Sequence, residues 1–267
     1  MNQSKIIVSM TSYPKRIMYV SIVVNELLRQ SRIPDEIHLW LAEPEFPDRE
    51  KELPIELRTQ VDNGIVSMHW LPKNTYIHKR HEIFKSTCDE DLVFFFDDDI
   101  IYPCNLIEEV VNTSSELNHA AIINYNKFHV HRYVGKKIVY SGIGDCQDPY
   151  KVMWCGHSMI PSKVYPKFVL DESYAVRRDV LSPVSEECWL QPWLVWCDIP
   201  IVCMNFRWGK EIVPGLNKNG TRLMFYERDE ATKMSYKDKC LYSVLQEYPF
   251  ILEKYKNIFH YDGQSFV

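Results

Sequence analysis

Short, uninterrupted apolar runs alternate with longer stretches of helical spacing along this chain, an order that predicts a layered α/β fold. Residues 5–10 read as a buried strand closed by Thr11-Ser12-Tyr13-Pro14. Residues 18–29 carry apolar positions on one side, with Pro34 beyond their end, which is the pattern of a helix. Strands are expected at 36–41 and, after the Asp62-Asn63-Gly64 turn signal, at 65–70. The intervening 43–56, rich in proline and charge, reads as loop plus a short helix. A helix is expected at 81–88. Residues 92–96 form a continuous apolar run, the signature of a central strand covered on both faces.

Past residue 100 the pattern is less regular. Residues 106–117 read as a helix, and 120–124, 130–134 and 137–140 as short strands. An apolar stretch, 154–160, precedes Pro161. Residues 186–196 are aromatic and helical in pattern despite Pro192. A further strand is expected at 199–204, a mobile loop at 217–222 and helical spacing over 238–258. The expectation is one α/β domain with a mixed, mostly parallel sheet flanked by helices. Ligands of such sheets bind outside the carboxyl ends of strands. Two segments lie at such ends, 11–16 and 97–99.

The 267 residues suffice for one large domain. A formal charge of −5 leaves no basic footprint for nucleic acid. An anionic ligand stays compatible with that charge if Mg²⁺ or Mn²⁺ supplies positive charge locally. The eight cysteines are irregularly spaced and read as buried free thiols of a reducing compartment. No secretory signal and no apolar run of about 18 residues is visible, so a cytoplasmic protein is expected. Asn112-Thr113-Ser114 and Asn219-Gly220-Thr221 are then chance matches to a glycosylation pattern.

The densest chemistry is Asp97-Asp98-Asp99, directly after Phe94-Phe95-Phe96. Three adjacent carboxylates after a buried strand repel one another unless a cation or donors neutralise them. Mg²⁺ commonly uses one or two carboxylates plus substrate phosphates, so the triplet suits a metal bridging to a diphosphate. A solvated acidic turn is the plainer alternative.

An apolar strand ending in Asp-x-Asp resembles the DxD motif of GT-A glycosyltransferases. That resemblance implies Asp97 at the ribose, Asp99 (with Asp97) at a Mn²⁺ or Mg²⁺ ion, and Asp98 positioning the sugar or the metal's waters. It places nucleotide binding in residues 1–103 and acceptor binding in 104–267. The segment Ser9-Met10-Thr11-Ser12-Tyr13-Pro14-Lys15-Arg16 resembles the opening of small bacterial transferases that build surface polysaccharides. There Thr11, Ser12, Tyr13 and Arg16 would hold base, ribose or phosphate; alternatively Ser12 merely caps the following helix. Lys79 and Lys85 are candidate diphosphate contacts, or part of a solvated helix start. Gly156 would let the backbone approach the ligand, and His157 would bond a sugar hydroxyl or satisfy the core. Arg207 to Lys210 and 218–222 are candidates for a closing loop, and His260 is the only late histidine that could complete a metal site.

Ser185-Glu186-Glu187-Cys188-Trp189 resembles the acid pair heading a Trp-containing helix in inverting members, one acid being the general base. Glu187 matches the second acid, with Glu186 in reserve; the plainer reading is favourable charge in a first helical turn. The resemblance implies transfer from a nucleotide-diphosphate sugar, UDP-sugar first, to a glycan or lipid-linked glycan hydroxyl, with peripheral contact to the inner membrane face allowed by the C-terminal aromatic and lysine-rich helices. Two alternatives remain: a haloacid-dehalogenase-type phosphatase using Asp97 and Asp99, and a non-catalytic nucleotide-sugar-binding protein.

Overall fold

The computed structural model describes residues 4–125, 129–134, 137–141, 152–154, 156–204, 209–213 and 236–259. Seven strands form one sheet in the order β11-β6-β10-β4-β1-β2-β3. They are β1 (Ile6–Thr11), β2 (Glu36–Ala42), β3 (Ser67–Leu71), β4 (Leu92–Phe95), β6 (Ile122–Asn124), β10 (Ser158–Pro161) and β11 (Ile201–Cys203). β1 pairs in parallel with both β2 and β4, and β2 with β3. β10 runs antiparallel between β4 and β6. The sheet is therefore mixed and mostly parallel, as the apolar runs foretold.

Alternation of side chains along the strands splits the core in two. Ile6, Val8, Met10, Phe94 and Phe96 face one side. There they meet helices α1 (Ile17–Leu27), α2 (Ile55–Asp62) and α3 (Leu106–Glu116), through Val20, Val24, Leu57, Ile107 and Val110. Ile7, Val93, Phe95 and Ile160 face the other. That side is covered by α5 (Glu186–Trp196), α6 (Tyr236–Glu247) and α7 (Pro249–Phe259), with α4 (Glu172–Leu181) packed beside them.

Two elements differ from expectation and two others need a physical account. The helix anticipated at 81–88 is instead a 3₁₀ run, Tyr76–Lys85, that starts earlier. Asn74 Oδ1 accepts the Tyr76 N–H at 2.8 Å, and the tighter coil turns His78, Lys79, Arg80 and His81 all inward. Pro192 does not stop α5, which continues to Trp196. Burial of Trp189, Trp193 and Leu194 against α6 and α7 outweighs the hydrogen bond Pro192 cannot donate. The helical spacing of 238–258 is two helices, parted at Tyr248 where Pro249 follows. Finally, 154–160 contributes the antiparallel β10.

Among the described residues there are two smaller sheets: β7 (His129–Val134), β8 (Lys137–Ser141) and β9 (Val152–Met153), and the ribbon of β5 (Ile100–Ile101) with β12 (Lys210–Glu211). The cysteines are free where described. Cys188 and Cys240 are buried as expected, but Cys88 and Cys104 are exposed, because they flank strand ends rather than lie within them. Cys146 and Cys155 lie outside the described residues. No helix among the described residues is long and apolar enough to cross a membrane.

Candidate functional site

The parallel pairing of β1 with β4 brings their carboxyl ends side by side, so segment 11–16 and the acidic triplet meet. Ser12 donates its hydroxyl to Asp98 Oδ2 at 2.6 Å, and Arg16 Nη1 lies 3.1 Å from Asp98 Oδ1 and 3.2 Å from Asp99 Oδ2. Ser12 thus serves the triplet, not the helix; α1 has no side-chain cap. Arg16 stands at the N-cap of α1, where the macrodipole disfavours a cation, so the two aspartates are what hold it there. Its guanidinium also lies 5.7 Å from the Tyr13 ring centre. Thr11 turns its hydroxyl to the Trp40 carbonyl on β2 at 2.8 Å.

Asp97 leans the opposite way. Its Oδ1 lies 3.2 Å from Arg80 Nη1, and its Oδ2 3.3 Å from His157 Nε2. Tyr102 OH receives the Asp97 N–H at 3.4 Å and contacts His157 Nδ1 at 2.7 Å. With that hydroxyl donating to Nδ1, the proton of a neutral His157 sits on Nε2, facing Asp97. The Asp97 side chain is 29% exposed, against 5% for Asp98 and 2% for Asp99, so Asp97 forms the rim. Burial works to raise the Asp97 carboxyl, but His157, Arg80 and Arg16 outweigh it and hold the group below its ordinary value. Burial wins at Asp98, which is pushed up against the pull of Arg16 and Ser12.

Arg80 is a residue of this cluster that sequence reasoning did not single out. Its side chain is 2% exposed and lies over the Phe95 ring, 4.6 Å from the ring centre. Its carbonyl accepts from Ser9, whose hydroxyl in turn accepts from the Trp40 indole. Besides Asp97 it binds Glu186 through Nε at 3.0 Å and through Nη2. His81 contacts the same Glu186 at 2.8 Å and Tyr165 at 3.0 Å. One guanidinium therefore joins the triplet to the acid pair of α5. The only signal in the sequence was the basic run His78-Lys79-Arg80-His81, which does not reveal which member bridges the two acid clusters.

The same pair explains Gly156. A Cβ there would collide with Arg80 Nη2 and Glu186 Oε1 and lie 3.3 Å from Arg80 Cζ. The missing side chain makes room for this ion pair, where a ligand's approach was expected.

The two glutamates part company at the head of α5. Ser185 caps that helix by accepting from Cys188 N–H at 3.4 Å. Glu186 is buried on Arg80 and His81; burial pushes its carboxyl up while Arg80 pulls it down. Glu187 turns to Lys237 at 3.0 Å and to the Ser185 hydroxyl at 3.1 Å. Burial opposes ionisation there, but Lys237 outweighs it and lowers the carboxyl to about 2.

The remaining candidates are less central. Lys79 is buried beside the site and spends its ammonium on Glu45 (3.2 Å) and Asn74 (3.0 Å). Burial lowers its pKa, against Glu45 and Asp98. Lys85 sits at the surface on Glu82, 2.6 Å away. Arg207, residues 218–222 and His260 lie outside the described residues.

The donor set bears on a metal. Among the described residues no three His, Cys, Asp or Glu side chains gather to hold an ion. Asp98 and Asp99 are turned to Arg16. These residues do not form a cage for a metal held by protein alone. They do fit an ion shared with a diphosphate, which needs only one or two carboxylates such as Asp97 and Asp99.

No family model and no curated protein matches the chain. Among solved structures it is similar to TarS of S. aureus. With TarS 1–349 in complex with UDP the identity is 10% and the TM-score 0.46, over 77% of this chain and 59% of that one. With TarS 1–349 alone the identity is 11% and the TM-score 0.49, over 95% and 72%. With TarS 1–349 in complex with UDP-GlcNAc the values are 13% and 0.48, over 95% and 67%.

Proposed function

We propose that this protein is a glycosyltransferase that moves a sugar from a nucleotide diphosphate, of the UDP-sugar class, to a hydroxyl of a glycan or lipid-linked glycan. One observation carries the reading. At the carboxyl ends of two adjacent parallel strands, three aspartates interleave with Ser12, Arg16, Arg80 and His157. Acids that could orient sugar hydroxyls there stand beside the Arg16 guanidinium, suited to phosphate, at the ligand-binding edge of an α/β sheet. The resemblance of strand-Asp-x-Asp to the GT-A motif adds to it.

In this reading Asp97, the exposed member, meets the donor's ribose or sugar. Tyr13 offers a ring face to the base. Arg16 and Lys79 stand within the same charged region and meet phosphate. Mn²⁺ or Mg²⁺, when bound by Asp97 or Asp99 together with the diphosphate, would stabilise charge on the leaving group. Glu187 is the first choice for general base, with inversion at the anomeric carbon. It is ionised at neutral pH, but so low a pKa makes it a weak base until Lys237 releases it. Glu186 reaches the triplet through Arg80 and positions Asp97.

The test compares UDP and UDP-sugar binding to the wild type and to Asp99→Ala, by calorimetry in Mn²⁺. Affinity is expected to fall at least about tenfold in the variant, with an unchanged circular dichroism spectrum. Equal affinity in the two proteins refutes the reading.

A further inference from the structure

Resting on that reading, we infer that Arg16 is a displaceable counter-ion that makes metal binding conditional on the donor diphosphate. The Arg16 guanidinium lies within 3.2 Å of both Asp98 and Asp99, and its side chain is only 14% exposed. A divalent ion approaching Asp99 must compete with a cation already in place. Driving Arg16 off the acids takes a guanidinium away from two carboxylates at the positive end of α1, where the macrodipole disfavours a cation. A diphosphate removes that obstacle. Its oxygens offer the planar guanidinium a bidentate partner, and the N-terminus of α1 favours the same anion. Donor and metal therefore bind with positive coupling, while metal alone meets the resident arginine.

Arg16 is well placed for such an exchange. Its partner acids sit on the turn immediately after β4, while Arg16 begins a separate helix. A small side-chain rotation can thus move the charge without disturbing either element. Asp98 keeps the Ser12 hydroxyl at 2.6 Å as a second partner when Arg16 departs. Coupling of this kind is reciprocal, so the metal must strengthen diphosphate binding by the factor the diphosphate strengthens metal binding.

The experiment titrates the full chain with Mn²⁺ alone, UDP alone and Mn²⁺ in saturating UDP. Free Mn²⁺ is read by electron paramagnetic resonance and heat by calorimetry, for the wild type, Arg16→Gln and Arg16→Lys. In the wild type, UDP is expected to tighten Mn²⁺ binding at least about tenfold. Arg16→Gln should bind Mn²⁺ alone more tightly than the wild type, lose most of the coupling and bind UDP more weakly. Arg16→Lys keeps the charge without the fork and should fall between the two; it also guards against Arg16→Gln failing to fold. If Arg16→Gln, or Arg16→Lys in its stead, binds Mn²⁺ no better than the wild type, or keeps the wild-type coupling, the counter-ion role is overturned while the transferase reading stands. If the wild type binds UDP under none of these conditions, the transferase reading falls and takes the inference with it.

Discussion

Two runs of adjacent acids, 97–99 after β4 and 186–187 at the head of α5, face the same repulsion and relieve it in the same way, by sending neighbours to different cations. Asp97 goes to Arg80, whereas Asp98 and Asp99 go to Arg16. Glu186 goes to Arg80 and His81, and Glu187 to Lys237. They differ in access. Arg80 and Glu186 are 2% and 3% exposed, a sealed pair, while Arg16 at 14% and Asp97 at 29% line a rim. A sealed pair cannot exchange partners without stranding a charge, so it is a positioning element. A charged group on the rim can exchange its partner for a ligand, so the proposed function puts donor binding there.

Breaking the sealed pair should give the largest effect. Glu186→Ala leaves Arg80 buried with Asp97 as its remaining carboxylate, and a loss of about 3–5 kcal/mol in chemical denaturation is expected. A loss below about 1 kcal/mol would mean that water reaches the guanidinium and that the contrast with the rim is false. Crowding the pair without removing charge comes next. Gly156→Ala places a methyl against Arg80 and Glu186 and should cost about 1–3 kcal/mol, with Asp97 misplaced and UDP affinity reduced. Unaltered stability and affinity would show that the backbone shifts freely there.

Glu187→Gln sharpens the comparison from the other side. The folded-state pKa of Glu187, about 2, lies below its ordinary 4.5. Its contribution to stability is therefore complete above pH 4.5 and is lost as the pH falls towards 2. The variant should be less stable than wild type at neutral pH, with the difference vanishing by pH 2, read by denaturation across that range. It should also keep donor binding and lose transfer. Near-normal turnover removes Glu187 from the role of base.

The first hundred residues were the most legible part of the chain. The largely apolar 6–10 and the continuous apolar run 92–96 can be buried on both faces only in a central sheet, and β1 and β4 are there. The triplet and segment 11–16 were each legible as strand-end segments, and the parallel pairing of β1 with β4 makes them neighbours. Strand β10 was not, because Ser158-Met159-Ile160-Pro161 carries no mark of direction. Nor was Arg80. In a mixed run of two histidines, a lysine and an arginine, the burial of all four, and Arg80's reach to both acid clusters, depend on a 3₁₀ coil that helical spacing does not predict. Lys85 looked equal to Lys79 in the sequence, yet one is at the surface on Glu82 and the other is buried beside the site.

The antiparallel strand between β4 and β6 has a consequence for anyone cutting the chain. Residues 1–103 hold the acidic triplet, but the flank of β4 is covered by β10, which comes some sixty residues later, as the register Phe94 to Met159 and Val93 to Ile160 shows. A fragment severed before β10 would present Leu92-Val93-Phe94-Phe95 as a bare hydrophobic margin with unsatisfied amides, an invitation to self-association. The two halves of the polypeptide are thus one hydrogen-bonded object, and residues 1–103 alone are expected to self-associate.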